Sequence, residues 1–181
     1  MQSDEAKLIA RLRNGEQAAF EAVVQAHYQS VWRQHYLFCG DADLAADLTQ
    51  ETFLQAWRSI GNFRGQSALR TWLYTIATRV WQRKGKPLVC RSVVPLPKTL
   101  HTESPEPEEI AVGNIEQEAI TIALRHLPDD MRVTLILFYR QELTHAEIAE
   151  ALGIPVGTVK SRIYDGVRRL RRILTPGEEA L

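Results

Sequence analysis

The chain has 181 residues, 45% of them apolar, with 22 Lys and Arg balanced by 22 Asp and Glu. That composition supports a packed core and excludes wholesale disorder, and the length fits one ordinary domain or two small ones. Two cysteines, Cys39 and Cys90, cannot build a disulfide framework, and no apolar run approaches a membrane span. The acidic start, Met1 to Glu5, leads into no signal-type apolar region, so a cytoplasmic protein without membrane insertion is expected.

In chain order, Ser3 offers a cap for a first helix with Leu8, Ile9 and Leu12 on one face, closed by Asn14-Gly15. Phe20, Val23, Val24, Tyr28, Val31 and Trp32 repeat at three and four, the period of a helix burying one side, until Gly40-Asp41 breaks it. Leu44, Leu48, Phe53, Ala56, Trp57 and Ile60 mark a third helix. A glycine-containing loop, Gly61 to Gln66, follows. Ser67 then offers an N-cap for a fourth helix with Leu69, Trp72, Leu73, Ile76 and Val80 inward.

Beyond Gly85 the period dissolves, and Pro87, Pro95, Pro97, Pro105 and Pro107 cluster there, as in a partly extended linker. Periodicity resumes with Ile115, Ile120, Leu124 and Leu127, and Pro128-Asp129 opens a helix carrying Val133, Leu135, Ile136 and Phe138. No strand pair or repeat is apparent. The expected fold is all-α: two small helical domains at 1–87 and 115–175, joined by a Pro-containing linker at 88–114.

Zero net charge conceals an uneven arrangement. No carboxylate lies between Glu51 and Glu103, a stretch that holds Arg58, Arg64, Arg70, Arg79, Arg83, Lys84, Lys86, Arg91 and Lys98. A second cationic run, Lys160, Arg162, Arg168, Arg169, Arg171 and Arg172, faces only Asp165. Either run alone fits a solvated helix face. Two separate runs fit two contacts with a polyanion.

Thr144-His-Ala-Glu147 has the form of a capping box, Gly153 suits a left-handed turn, and Pro155 suits the first turn of the next helix. Val159, Ile163, Val167, Leu170 and Leu174 give that helix a clean inner side. Thr158, Lys160, Ser161, Arg162, Tyr164 and Arg168 lie opposite. An ordinary helical hairpin fits this pattern. A helix-turn-helix whose second helix enters the major groove fits it better, because hydrogen-bond donors crowd the start of that helix.

Chemistry of other kinds finds little support. His27, His35, His101, His126 and His145 are scattered without ligand or triad spacing, and the His35-x3-Cys39 pair reads as core or surface. No glycine-rich phosphate cradle is present. No catalytic residue, metal or cofactor is expected.

Two blocks then resemble the extracytoplasmic-function (ECF, group IV) sigma factors of bacterial RNA polymerase, within the sigma-70 family. Asp47-Leu-Thr-Gln-Glu-Thr-Phe-Leu-Gln-Ala-Trp57, Phe63-Arg-Gly65 and Leu69 to Ala77 are similar to sigma region 2. Leu127-Pro-Asp-Asp130 and Ile148 to Arg162 are similar to region 4. The resemblance implies a protein that binds core polymerase, at the β′ clamp and the β flap, and directs initiation at promoter DNA through −10 and −35 elements. An anti-sigma factor is a further partner of many members.

It also implies roles for residues. Asp47, Gln50, Glu51, Phe53 and Trp57 match the helix that docks on the clamp, although Phe53 and Trp57 also fit a core. Phe63, Arg64, Gly65, Gln66 and Ser67 match the loop that captures a flipped −10 base. Arg70, Trp72, Arg79 and Arg83 would line the opened strand, with Trp72 again a fit for the core. Arg79 stands where the family carries Asn. Thr144, Pro155, Thr158, Lys160, Ser161 and Arg162 match the −35 reader, with Arg168 and Arg171 on phosphates. The alternative is a free-standing helix-turn-helix regulator that needs no polymerase.

Overall fold

The computed structural model describes residues 2–65, 67–86 and 120–175, with side chains from residue 6 onward. Among these residues every regular element is helical. The boundaries expected at 87/88 and 114/115, the proline cluster and Gln66 lie outside the described residues.

The first half is a four-helix bundle: α1 (Gln2–Arg13), α2 (Gln17–Cys39), α3 (Ala42–Ser59) and α4 (Leu69–Val80). Its corners follow from local chemistry. Gly40 ends α2 in the left-handed region at φ 74°, returning its N–H to Tyr36 O at 2.7 Å. Asp41 caps α3, its carboxylate accepting from Leu44 N at 2.9 Å. Two expected caps are displaced. Ser3 lies inside α1, and the residue before α4 is Ala68, which has no side-chain acceptor, rather than Ser67.

Leu12, Val31, Phe38, Leu48, Leu73 and Val80 fill the bundle. A seam of polar groups runs through the same core. Gln34, His35, Thr49, Thr52 and Thr78 are all fully buried. Thr52 donates its hydroxyl proton to Leu48 O at 2.7 Å, so the 2.9 Å contact with His35 Nε2 has the imidazole as donor. His35 Nδ1 is then an unprotonated acceptor, buried without a partner. Burial pushes the His35 pKa down from 6.5 to about 3.

The end of α4 slips out of the α-helical period. Trp81–Gly85 form a π turn, which swings Trp81 into the core against Phe38, with ring centroids 5.7 Å apart. Gly85 makes room for it: a Cβ there would lie 2.1 Å from the Trp81 ring and 3.0 Å from Leu48.

The second half comprises helical residues 120–125, then α5 (Asp129–Leu135) with a π turn Ile136–Arg140, α6 (His145–Leu152) and α7 (Val156–Leu174). The Thr144 capping box forms in full, with Thr144 N donating to Glu147 Oε2 at 2.8 Å and Glu147 N to Thr144 Oγ1 at 3.3 Å. Gly153 adopts φ 68° between α6 and α7. Ile148 and Val159 are fully buried where the two helices meet. Gly166 lets α5 cross α7 closely, for a Cβ there would meet Leu135 Cδ1 at 3.0 Å. Tyr28 and Leu174, expected inside, are 39% and 42% exposed.

The halves pack against each other over one continuous apolar core. Arg132 of α5 is 7% exposed and reaches across to the end of α2, donating to Phe38 O at 2.9 Å while pairing with Asp129. The open carbonyls of a helix C-terminus suit such a cation. Arg125 lies over the Tyr36 ring, 5.6 Å from its centroid, and donates to Tyr36 Oη at 3.2 Å.

Candidate nucleic-acid and polymerase interface

On α3, Asp47, Gln50, Leu54 and Trp57 recur at three and four and are all exposed, so they form one outward stripe. Trp57 is 39% exposed and rests its other side on Phe20, ring centroids 4.9 Å apart. Leu54, 44% exposed, is the apolar member that the sequence reading passed over; its signal was its place four residues after Gln50. Phe53 corrects that reading. It is 6% exposed and packs edge-on to Phe20, so it belongs to the core. Glu51 turns toward the π turn that follows α4, and Lys84 of that turn at 2.8 Å, with Gln55 of its own helix at 2.7 Å, holds its carboxyl below the usual carboxylate range.

The loop and helix expected at melted DNA divide similarly. Arg64 and Gly65 are exposed, the latter at φ 70°. Ser67 is half-buried. Phe63 is a second correction: it is 5% exposed and lies on Trp72 with ring centroids 4.9 Å apart. Here the pair closes the bundle, and no face of Phe63 is free to stack on a base. Arg79 and Arg83 stand exposed beside Arg58, around a cavity of about 540 Å³ between α3 and α4. Arg58, counted in the cationic run, was given no site role of its own, because it follows Trp57 in what reads as a docking helix. Three guanidiniums about one concavity suit phosphate oxygens.

On α7, Lys160, Ser161, Tyr164, Arg168 and Arg171 are exposed along one side. Tyr164 is 70% exposed, an aromatic tip among cations. Arg168 has Asp165 at 3.9 Å, a weak surface pair. Thr158 is half-buried and Pro155 exposed at the N-cap of α7, while the Thr144 hydroxyl is held within its capping box. Arg162 is the third correction. Its side chain is 24% exposed and donates to Asp130 Oδ2 at 3.1 Å, so it turns toward α5 of its own half rather than outward.

Sequence comparison finds one matching block in each half. The family "Sigma-70 region 2" matches residues 23–84, and "Sigma-70, region 4" matches residues 117–170. The ECF RNA polymerase sigma factor SigW of Bacillus subtilis is 32% identical, with 93% of this chain and 95% of that protein aligned. The chain belongs to the sigma-70 family, in its ECF group. RNA polymerase sigma-H factor of Pseudomonas aeruginosa is 30% identical over 97% of this chain and 96% of its own length. Among solved structures, the sigma factor RpoE of Bartonella quintana, in complex with the anti-sigma factor NepR, has a TM-score of 0.66 at 25% identity. That match covers 86% of this chain and 96% of the Bartonella one. CnrH shares the fold at a TM-score of 0.69 and 21% identity, over 96% of this chain and 98% of its own. As an ECF sigma factor, the chain carries region 2 within α2–α4 and the turn that follows, and region 4 in its helix-turn-helix half. No helix among the described residues is long and apolar enough to cross a membrane.

Proposed function

We propose that region 2 docks on the β′ clamp through Asp47, Gln50, Leu54 and Trp57, and that its Arg58, Arg64, Arg70, Arg79 and Arg83 take the opened −10 strand. Region 4, held at the β flap, presents Lys160, Ser161 and Tyr164 to −35 base edges and Arg168 and Arg171 to phosphates. The observation that carries this is one chain holding, in this order, an exposed acidic-aromatic stripe, an exposed arginine cluster and a capped helix-turn-helix with a free cationic side. The chemistry is binding rather than catalysis, carried out where polymerase and DNA are, in the cytoplasm. An anti-sigma factor is proposed as a regulator, by likeness to the Bartonella relative.

Arg79, in place of the family's Asn, donates only and keeps its charge, which favours phosphate or the acceptor pair of guanine. The deciding experiment is run-off transcription with core polymerase on genomic fragments. Promoter-specific starts that require both core and this chain support the reading. Tight promoter binding by the chain alone at physiological salt overturns it in favour of a free-standing regulator.

A further inference from the structure

A cavity of about 600 Å³ is bounded by α2, helical residues 120–125, α5 with its π turn, and α7. Its walls are apolar. Trp32 and Tyr36 of α2 stack nearly parallel on its surface, ring centroids 5.2 Å apart at 7°. Arg125, over the Tyr36 ring and donating to its hydroxyl, fixes that wall in place. Leu135, Ile136 and Leu170 line it from the second half. Ile120 and Tyr139, 44% and 62% exposed, carry the apolar surface out to the mouth.

Two charges interrupt this surface. Arg33 and Arg140 also line the cavity, both are exposed, and neither guanidinium has an ion pair or hydrogen bond with another described residue. No carboxylate stands among the described lining residues. Apolar walls beside uncompensated positive charge select for a ligand with an apolar body and an anionic end. The guanidinium fork matches a carboxylate, and it is weakly hydrated enough to give up water beside hydrocarbon. A neutral apolar molecule would leave both arginines unused, and a cation would be repelled.

Shape selects for size. Small-molecule sites are concave, mostly apolar and about 300–1,000 Å³ in volume, with a few polar groups that fix orientation. A protein partner instead covers roughly 800 Å² of a broader surface. The stacked wall is already ordered, so entry costs little side-chain freedom. Ile136–Arg140 is moreover a π turn, a geometry frequent at functional sites.

We propose that this cavity binds a single-chain amphiphile with an anionic head, of the fatty-acid type, its chain against Trp32 and Leu170 and its carboxylate at Arg33 and Arg140. None of these residues is among those assigned to polymerase or DNA, so the site is additional to those contacts.

Isothermal titration calorimetry of the full chain with decanoate, below its micelle-forming range, should show one saturable site, and 1-decanol should bind about tenfold more weakly. Arg33→Gln with Arg140→Gln changes only exposed side chains and should leave circular dichroism intact. It should bring decanoate down about tenfold, to the level of the alcohol, and leave decanol binding as it was. Decanoate should also shift the tryptophan emission of the wild-type chain, and Trp32→Phe should abolish that shift. The proposal is overturned by an absence of saturable decanoate binding, by equal affinity for acid and alcohol, or by full affinity in the double variant. An emission shift that survives in Trp32→Phe places the ligand elsewhere and overturns it as well. So does co-sedimentation with phosphatidylglycerol vesicles in a chain that ignores decanoate, since the arginines then meet a lipid surface and not a single amphiphile.

Discussion

Gly85 sits where α4 stops following the α-helical period, and two opposed effects compete there. Alanine would gain up to about 1 kcal/mol of helix propensity. Its methyl, however, would lie 2.1 Å from a Trp81 ring that is 1% exposed and backed by Phe38, so the ring has nowhere to move. Overpacking of this kind costs about 1–3 kcal/mol, and the clash wins. Gly85→Ala should lower the urea midpoint without changing the m-value. His35 supplies a pH signature. Its folded pKa of about 3 lies below the ordinary 6.5, so the unfolded chain binds a proton that the folded chain refuses. Stability is complete above pH 6.5 and falls as the pH drops toward 3, by about 2 kcal/mol between pH 7 and pH 5. Urea titrations across that range check it, and His35→Gln should flatten the profile.

Among the elements, α3 separates fold from binding at adjacent positions. Phe53→Ala should cost about 3–4 kcal/mol of folding stability, as for any buried aromatic. Leu54→Asp should leave circular dichroism intact and weaken core polymerase binding at least tenfold in a pulldown titration. For α7, Lys160→Ala should cost roughly 1–3 kcal/mol and relax one −35 position in a randomised promoter library. Arg171→Ala should weaken all sequences alike and lower the salt slope by about one unit. Arg162→Ala should resemble neither on free DNA, because Asp130 already holds that guanidinium.

Periodicity made most of these helices legible, and the Thr144–Glu147 box and Gly153 announced the helix-turn-helix. Phe53 and Phe63 misled because docking faces and cores use the same residue type, and only the register of neighbours separates them. The buried seam of Gln34, His35, Thr49, Thr52 and Thr78 was invisible, since polar side chains read as outward until hydrogen bonds across helices are known. Trp81 was lost because the π turn rotates it away from the stripe that Val80 predicts.

For the whole molecule, Arg132 is a buried tie between the halves. It donates to Phe38 O, the carbonyl of a region 2 helix, while its charge pairs with Asp129. Arg132→Ala would remove the hydrogen bond to Phe38 O and the partner charge of a part-exposed Asp129, a loss of about 1–3 kcal/mol. A thermal melt should record it as a fall in Tm. No sequence pattern foretold this contact, nor Arg70 with Glu142, for charge alone does not say which distant residue answers it.

The apolar core passes without interruption from Leu12 and Leu73 in the first half to Leu137 and Ile148 in the second. Such a chain melts as a single cooperative unit, although it is built from two recognition modules. Amides on both sides of the junction should then exchange with deuterium at one shared, slow rate. Any event that parted the modules would split that common protection into two smaller ones and bare leucines to proteases. The lifetime of this regulator in the cell would then depend on how long it stays folded upon itself.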